Sequence, residues 1–375
     1  LWLLVNKIRS NRRAREDSEK RVYYRNKLDE ILHGSEEGLL RPNNQKDMEI
    51  FKEVLLEAFD SYDHGYFEGL KSVARQAGVV KDELKELSSS SILRRATAAY
   101  TLGVLRVQEA VPFLLKMKST NLVLAQSIHR ALLQIDGLKQ MDKILARINL
   151  NELSQKSRAL DLFTEIQEDV FSFLELDLQG DDDGRKSLAL EVLGERQDFR
   201  VKQYLEENIL SGKKELMISG LKAAIKLQCF DCSVSPKEMT KLVTHENWEI
   251  RTFMAKVMAF AKGSEIEVAE YLKALLEDDN WNVRFNAAES LFALGEKGIV
   301  ALSQCLRSED KFAREKAWDV LMREWNLYDL EERLRGFDQE KNILSAMEEY
   351  RYRLLDEETL KETIDVNQIE NINTS

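Results

Sequence analysis

The chain has 375 residues, 43% of them hydrophobic and 32% charged, with only 3 prolines and 16 glycines, a composition typical of a helix-rich protein with few helix breakers. Its net charge of −11 divides into +6 on residues 1–27 and −17 on the remainder. The acidic body disfavours binding to a nucleic-acid backbone, and 3 cysteines in a chain of this length argue against a disulfide framework.

The amino end combines a short apolar run with a basic cluster. Residues 1–5 are apolar, whereas a bilayer-spanning helix needs about 20 such residues. Five basic residues follow before the first acidic one: Lys7, Arg9, Arg12, Arg13 and Arg15. Because basic residues flank transmembrane helices on the cytoplasmic side, we interpret residues 1–32 as the end of a membrane anchor followed by a basic juxtamembrane helix, with the body in the cytoplasm. An ordinary amphipathic terminal helix is the alternative.

Residues 33–87 are predicted to form helices that cap the repeats described next, since terminal repeats need a polar outer face. Residues 336–362 are predicted to cap the other end in the same way. Residues 363–375 are polar and lack aromatic side chains, and we predict that they are disordered.

Residues 88–335 carry a repeated helical pattern. The stretch at 280–295 has a near-copy at 247–263, and their arginines, Arg284 and Arg251, lie 33 residues apart. Aligned on this arginine, eight copies place small or apolar residues three and four positions later and an apolar residue seven positions later, which is one buried stripe on a helix. We call the aligned positions the anchors: Arg95, Ala125, Lys156, Arg185, Met217, Arg251, Arg284 and Arg314. Another apolar-periodic helix precedes each anchor helix, so the unit has two helices.

A fixed period of this size predicts stacked helical repeats and an all-α fold. The second helix reads Asp-x-x-x-Val-Arg-x-x-Ala-Ala-x-x-Leu-x-x-Leu-Gly, which resembles the HEAT repeat, and the period is closest to the short HEAT-like repeats first associated with phycobilisome lyases. The resemblance covers residues 88–335 and is most specific at 247–326. It implies an α-solenoid, a right-handed superhelix of about eight two-helix repeats. The resemblance to HEAT-like repeats extends to bacterial HEAT-like proteins that are anchored in a membrane.

The sequence favours binding over catalysis. It contains no Walker loop, GxGxxG or GxSxG, and its 4 histidines are scattered. We therefore predict a non-catalytic scaffold that grips a protein partner with its concave surface, without a cofactor, a metal or a small-molecule substrate. The resemblance implies a partner in a membrane complex, such as an envelope-polysaccharide enzyme.

Two activities of proteins with related repeats are the alternatives. A phycobilin-lyase-like enzyme would need a chromophore pocket, and no residue cluster in the sequence marks one. A HEAT-like DNA alkylation-repair protein would need a cationic cleft, which the net charge of −17 on the body disfavours. Nucleic acid is therefore not an expected partner.

The candidate binding residues lie on the second helices, which line the concave surface in HEAT-like proteins. Trp248 and Trp281 occupy the same repeat position, three before the arginine, and Trp is enriched in binding hot spots. Packing across the turn, as a staple between neighbouring repeats, is the alternative for these two side chains. The full set of candidate residues is Trp248, Thr252, Lys256, Trp281, Phe285, Glu289, Glu315 and Asp319.

The arginines of the three clearest copies are predicted to be structural. A long apolar stem can pack along the neighbouring repeat while the guanidinium reaches carboxylates in the turns. These arginines are Arg251, Arg284 and Arg314, and their candidate partners are Asp278, Asp279 and Asp310.

Two further patterns could bind metal. Cys229 and Cys232 form a CxxC, but no second CxxC exists and the nearest histidine, His245, has no spaced partner. Residues 180–184 read Gly-Asp-Asp-Asp-Gly, which lacks the alternating ligands and final Glu of a calcium loop. We interpret the cysteines as structural and the acidic stretch as a solvated turn with an N-cap.

Overall fold

A computed structural model describes the backbone of residues 2–34, 40–230, 234–262, 264–324, 334–337 and 339–372, and the side chains of residues 15–356 within these ranges, Glu324 excepted. Over these ranges the chain consists of helices and turns, with one isolated bridge between Phe230 and Ala261. It divides into two compact units, Leu1–Val170 and Phe171–Ser375. The division falls inside the region predicted as one solenoid.

In the described ranges, four helices precede the repeats: α1 (Trp2–Leu32), α2 (Gln45–Ser61), α3 (Phe67–Gln76) and α4 (Val79–Glu86). Fifteen cover the repeat region: α5 (Ile92–Val104), α6 (Val111–Lys116), α7 (Leu122–Asp136), α8 (Met141–Leu145), α9 (Leu153–Thr164), α10 (Phe171–Gln179), α11 (Asp183–Glu195), α12 (Lys202–Ile209), α13 (Lys214–Lys226), α14 (Pro236–Val243), α15 (Trp248–Met258), α16 (Glu265–Leu276), α17 (Trp281–Ala293), α18 (Glu296–Cys305) and α19 (Lys311–Glu324). The last described helix is α20 (Glu340–Ile372).

The repeat prediction agrees with these helices. Each of the eight anchors lies in the first turn of its own odd-numbered helix, from α5 to α19, and seven of them are the fourth residue of that helix. The even-numbered helices α6 to α18 are the preceding helices of the units, at the predicted places. The all-α fold and the solenoid class are therefore confirmed, while the handedness of the superhelix stays a prediction.

Helix α11 departs from the predicted alignment by one residue. Its N-cap is Asp182, whose side chain accepts a hydrogen bond from the Arg185 N–H, so the residue four after the cap is Lys186 and not the predicted anchor, Arg185. The apolar run in this helix is nearly continuous, with residues 187–190 and 192–194 all buried, and a stripe fits it in either register. The N-cap residue lies outside the buried stripe, and its position distinguishes the two registers.

Three anchor helices end in the same left-handed turn. Arg106, Gln197 and Gln228 have φ values of 50°, 53° and 50°. Each lies eleven residues after its anchor when α11 is counted from Lys186. In each turn the N–H of the following residue bonds to the carbonyl five residues before it, as Asp198 N–H does to Leu193 at 2.9 Å. This is the Schellman ending, in which glycine is the usual left-handed residue.

Small residues let the odd-numbered helices approach one another. In the unit Phe171–Ser375, helix α11 packs on α13, α15 on α17, and α17 on α19. A Cβ built on Gly194 would lie 2.7 Å from the Cα of Ala223, so this contact between α11 and α13 has no room for a side chain. Ala287 and Ala288 of α17 are fully buried. Burial of these apolar stripes between successive two-helix repeats supplies the continuous core that a single helix pair lacks.

In the unit Leu1–Val170, α1 packs against α2 through aromatic and ionic contacts. The rings of Tyr24 and Phe51 have centroids 5.3 Å apart and both side chains are buried. On the surface beside them, Arg25 pairs with Glu57 at 2.7 Å. Charged residues of α1 that were predicted to lie beside a membrane thus pair with acidic residues of α2.

The membrane anchor predicted at the amino end is wrong. Across the described helices, none combines the length and the apolar character that crossing a bilayer requires. In α1 the apolar run ends at Asn6 and Lys7, and most of the remaining 31-residue helix is polar or charged. The predicted localisation, tethered to a membrane with the solenoid in the cytoplasm, is therefore not supported.

The carboxyl end also differs from expectation. Helix α20 packs on α18 and continues to Ile372 without a Pro or Gly to interrupt it, so the backbone at 363–372, predicted to be disordered, is helical. The remaining three residues of that predicted tail lie outside the described residues. A polar composition alone does not distinguish a disordered tail from the exposed continuation of a helix.

Candidate functional site

The three predicted structural arginines close the turns that precede their own helices. In each case Nη1 donates to the carbonyl oxygens six and five residues before the arginine. The acceptors are His245 (2.7 Å) and Glu246 (3.2 Å) for Arg251, Asp278 (2.5 Å) and Asp279 (3.0 Å) for Arg284, and Ser308 and Glu309 (both 2.7 Å) for Arg314. The recurring partner is thus the backbone of the turn, which satisfies carbonyl groups that helices leave unpaired.

Of the three predicted carboxylate partners, only Asp278 binds one of these arginines through its side chain. Its carboxylate accepts two hydrogen bonds from Arg251, at 2.6 and 2.8 Å, and a third from the Asn280 N–H at 2.8 Å. Burial alone would raise the pKa of Asp278, but these hydrogen bonds hold it below its ordinary value. Asp310 instead caps α19 by accepting the Ala313 N–H at 2.6 Å.

Trp248 and Trp281 are the first residues of α15 and α17, and both are partly exposed to solvent. Trp248 is 42% exposed and Trp281 is 64% exposed. Trp281 makes an edge-to-face contact with Phe285, one turn later in the same helix, with centroids 6.4 Å apart. A staple between repeats would bury these rings, which does not fit Trp281, whereas Trp248 is covered over more than half of its surface and both interpretations stay open for it.

Phe285 is partly buried and stacks under a lysine of the next repeat. Nζ of Lys316, on α19, lies 4.4 Å from the centroid of the Phe285 ring. On α15 the Phe253 ring also has lysines nearby, Lys222 of the preceding repeat at 5.9 Å and Lys256 of its own helix at 5.6 Å from its centroid. Cation–π pairs of this geometry hold ammonium groups over aromatic rings on the helix surface.

Thr252 differs from its prediction as an outward-facing residue. Its side chain is only 7% exposed, and its hydroxyl donates to the carbonyl of Trp248 at 2.9 Å. A short side chain that returns its hydroxyl to its own helix does not reach the surface as Phe285 does at the equivalent position. Thr252 is therefore not part of the exposed surface.

The acidic candidates have different surroundings. Glu289 on α17 forms a two-pronged ion pair with Arg323 on α19, at 2.9 and 2.7 Å. Glu315 lies 3.6 Å from Lys311 within α19, and Asp319 is exposed on the same helix. The Glu289 pair ties two repeats together, whereas Asp319 offers an exposed carboxylate.

The remaining aromatic and lysine candidates lie near the start of three successive anchor helices, with neighbouring aromatic and lysine side chains three to five residues apart along each helix. We call this surface the aromatic–lysine face; it consists of Trp248, Phe253, Lys256, Trp281, Phe285, Phe312 and Lys316. Phe312 is 58% exposed, and the guanidinium of Arg284 lies 4.9 Å from its ring centroid. Phe253, Phe312 and Lys316 were not among the candidates from the sequence, although phenylalanines followed three or four residues later by a lysine are visible there at Phe253 and Phe312.

The possible metal ligands do not cluster. Within the described part of the chain, no group of three or more His, Cys, Asp or Glu side chains could hold an ion. Cys229 is partly buried, and Cys232 lies outside the described residues. Burial raises the pKa of the Cys305 thiol to about 12, so this thiol is neutral near pH 7. Asp182 caps α11, which agrees with the interpretation of the acidic stretch as a turn.

Comparison with known proteins identifies similar structures for the chain and a matching family for one segment of it. No curated protein matches the chain. Two solved structures are similar to it at low identity. A crystal structure of an engineered protein is 17% identical over 86% of this chain and 98% of that chain, with a TM-score of 0.37. A chain of the Pds5–Scc1 complex, solved for its implications for cohesin function, is 11% identical over 82% of this chain and 54% of that chain, with a TM-score of 0.31.

The family evidence covers the segment that contains the aromatic–lysine face. A family model described as HEAT repeats matches residues 236–322. This match begins at the first residue of α14 and ends within α19, so it spans three two-helix units. The predicted resemblance to HEAT repeats is confirmed over these units.

Proposed function

We propose that this chain is a non-catalytic scaffold that binds a protein partner through the aromatic–lysine face. The observation that carries the proposal is the exposure of Trp248 and Trp281 at the same position of two successive repeats. A large aromatic side chain in solvent forgoes the free energy that burial of its apolar surface would contribute. Trp is the residue most enriched in the hot spots of protein interfaces. Repeated exposure at one edge offers a partner two anchoring rings.

The charges of the face indicate the chemistry of the partner. Lys256 and Lys316 lie over phenylalanine rings, so their ammonium groups stay at the surface. The nearby carboxylate of Glu289 is already bound by Arg323. A protein segment with apolar side chains between acidic ones would bury the tryptophans and place its carboxylates near the lysines. A membrane complex as the source of this partner stays a prediction from the resemblance.

The test compares partner capture by the full chain and by a Trp248→Ser/Trp281→Ser variant, with quantitative mass spectrometry of the captured proteins. We expect the variant to lose the partner by at least about tenfold, since hot-spot truncations cost about 2 kcal/mol or more. The matched control is Leu176→Ser/Ile266→Ser, which removes comparably exposed apolar side chains from the even-numbered helices α10 and α16.

All of these side chains are exposed, so each variant is expected to melt within a few degrees of the wild-type chain. A photo-crosslinking residue at position 281 should then label the same partner. Undiminished capture by the tryptophan variant, or equal loss in the leucine–isoleucine control, would show that the face does not bind it.

A further inference from the structure

A cavity in the unit Leu1–Val170 is lined by several arginines, although residues 28–375 carry a net charge of −17. Its volume is about 390 Å³, and it opens between α7 and α9 and the turns that precede them. Arg130 and His129 come from α7, Arg158 from α9 and Arg147 from the turn after α8. Thr120 and Gln126 add neutral hydrogen-bond donors. Three guanidinium groups thus face one space.

The arginines are only partly neutralised by the protein. Arg130 pairs with Glu165 at 2.8 Å. Arg147 donates to the carbonyl oxygens of Leu115 and, at 3.3 Å, of Met117, which positions its guanidinium without cancelling its charge. Arg158 makes no ion pair or hydrogen bond within the described residues.

Carboxylates do not balance this charge. The one that lines the cavity among the described residues is Asp161, which faces the three arginines. Glu152, the residue before α9, accepts hydrogen bonds from Ser154 at 2.6 Å and from Gln155, and its charge also interacts with that of Arg158 from outside the lining. Among the residues that line the cavity, three arginines stand against one carboxylate, so the lining is net positive.

His129 responds to this charge. Burial, followed by the positive charges of Arg147 and Arg158, lowers the pKa of His129 from its ordinary 6.5 to about 4. The imidazole is thus neutral at physiological pH and could accept a proton if a bound anion cancelled the surrounding charge. The electrostatic part of this shift comes from two of the arginines that line the cavity.

We propose that this cavity binds a small phosphate monoester, with Arg147 and Arg158 holding the phosphate and Thr120 and Gln126 contacting its organic part. Arginine suits phosphate oxygens because its planar fork can donate two parallel hydrogen bonds, a role that falls to Arg158. Arg147, whose Nη1 and Nη2 each already donate to a carbonyl, contributes its charge and its remaining N–H groups. A volume of about 390 Å³ fits a phosphate with a small organic group. A nucleic-acid backbone would instead need a continuous basic track, against the acidic balance of the chain. This ligand is distinct from the protein partner proposed above.

The test is calorimetric titration of the full chain with glycerol 3-phosphate at low salt and near-neutral pH. We expect saturable binding that weakens with added salt, and a loss of about tenfold or more in affinity for Arg147→Gln and for Arg158→Gln. Arg158→Lys keeps the charge and should retain part of the affinity. The control is Arg94→Gln, which removes an exposed arginine outside the cavity and should leave the affinity unchanged.

An NMR titration of the histidine imidazoles gives an independent readout. We expect glycerol 3-phosphate to raise the pKa of His129, identified by the loss of its signal in His129→Asn. Several results would overturn the proposal: no saturable binding up to about 10 mM; equal affinity in the wild-type chain, Arg147→Gln and Arg158→Gln; or a DNA duplex that binds more tightly than the phosphate monoester in an Arg158-dependent manner.

Discussion

Arg251 and Asp278 form an ion pair that joins one repeat to the next. Arg251 belongs to α15, Asp278 lies in the turn before α17, and their two hydrogen bonds measure 2.6 and 2.8 Å. The carbonyl of Asp278 accepts a further bond from Arg284, the arginine of the following unit. One turn residue therefore receives the anchor arginines of two successive repeats, which fixes the turn relative to both helices.

Removing the Asp278 carboxylate should destabilise the protein substantially. Asp278→Ala leaves the guanidinium of Arg251 without its ionic partner, and both side chains are mostly shielded from water. The loss of one member of such a pair costs about 2–4 kcal/mol, because the remaining charge is buried and unpaired. Urea denaturation of the two proteins measures the difference.

The neighbouring aspartate provides the matched control. Asp279 accepts a hydrogen bond from Arg284 through its carbonyl oxygen, which is still present in Asp279→Ala, and its carboxylate adds only the smallest of the charge effects on Arg251. Its side chain is exposed, so we expect a change within about 0.5 kcal/mol. If both alanine variants unfolded at the same urea concentration, the ion pair would not be the source of the stability.

A glycine at position 197 should stabilise the protein. Gln197 has a φ of 53° at the Schellman ending of α11, where a side chain with a Cβ is strained, and it is exposed. Gln197→Gly removes that strain without removing a buried contact, which we expect to add about 0.5–1 kcal/mol to the free energy of unfolding. Gln197→Ala retains the Cβ and should show no such gain. A glycine variant no more stable than the alanine variant would contradict this account.

The same turns show what the sequence could and could not predict. The anchors were predictable because a buried stripe leaves a visible period. Of the three predicted turn aspartates, only Asp278 binds an anchor arginine through its side chain, because the backbone carbonyls of the turns take up most of the guanidinium donors. The left-handed residues of three turns were not predictable, because Arg106, Gln197 and Gln228 stand where the family pattern has glycine. The one-residue shift of α11 was hidden by its continuous apolar run.

The two candidate sites also differ in how far the sequence could predict them. The tryptophans of the aromatic–lysine face recur at one repeat position, so the sequence indicated them, whereas Lys316 reaches Phe285 from the next helix. The arginine cavity gave no periodic signal, because Arg130, Arg147 and Arg158 come from two helices and a turn. A net charge of −17 on the body also concealed a local positive cluster.

Adding one methyl group to Gly194 should destabilise the contact between α11 and α13. An alanine favours a helix over glycine by about 1 kcal/mol, but its Cβ would lie 2.7 Å from the Cα of Ala223. Backbone cannot yield as a flexible side chain does, so we expect Gly194→Ala to cost about 1–3 kcal/mol. Thermal unfolding measures it, with Gly65→Ala as the control, since a Cβ there meets nothing within 4 Å. A stabilised Gly194→Ala protein would mean that the helices separate at no cost.

The stability of the protein should fall in acid partly through His129. Its pKa is lowered from 6.5 to about 4, so between these values the unfolded chain binds the proton more readily than the folded one. The contribution is therefore fully present above pH 6.5, is lost as the pH falls, and is exhausted below about 4.

The charged groups around the imidazole determine the direction of this pH dependence. Arg130, Arg147 and Arg158 stay charged throughout the range, and Asp161, which also lines the cavity, is common to the wild-type and variant proteins. Between pH 7 and 4 the free energy of unfolding should therefore fall more in the wild-type chain than in His129→Asn, by about 1–3 kcal/mol. Above pH 7 the two curves should run parallel, because the imidazole is neutral in both states. Parallel curves down to pH 4 would show that His129 is not held neutral by the cavity.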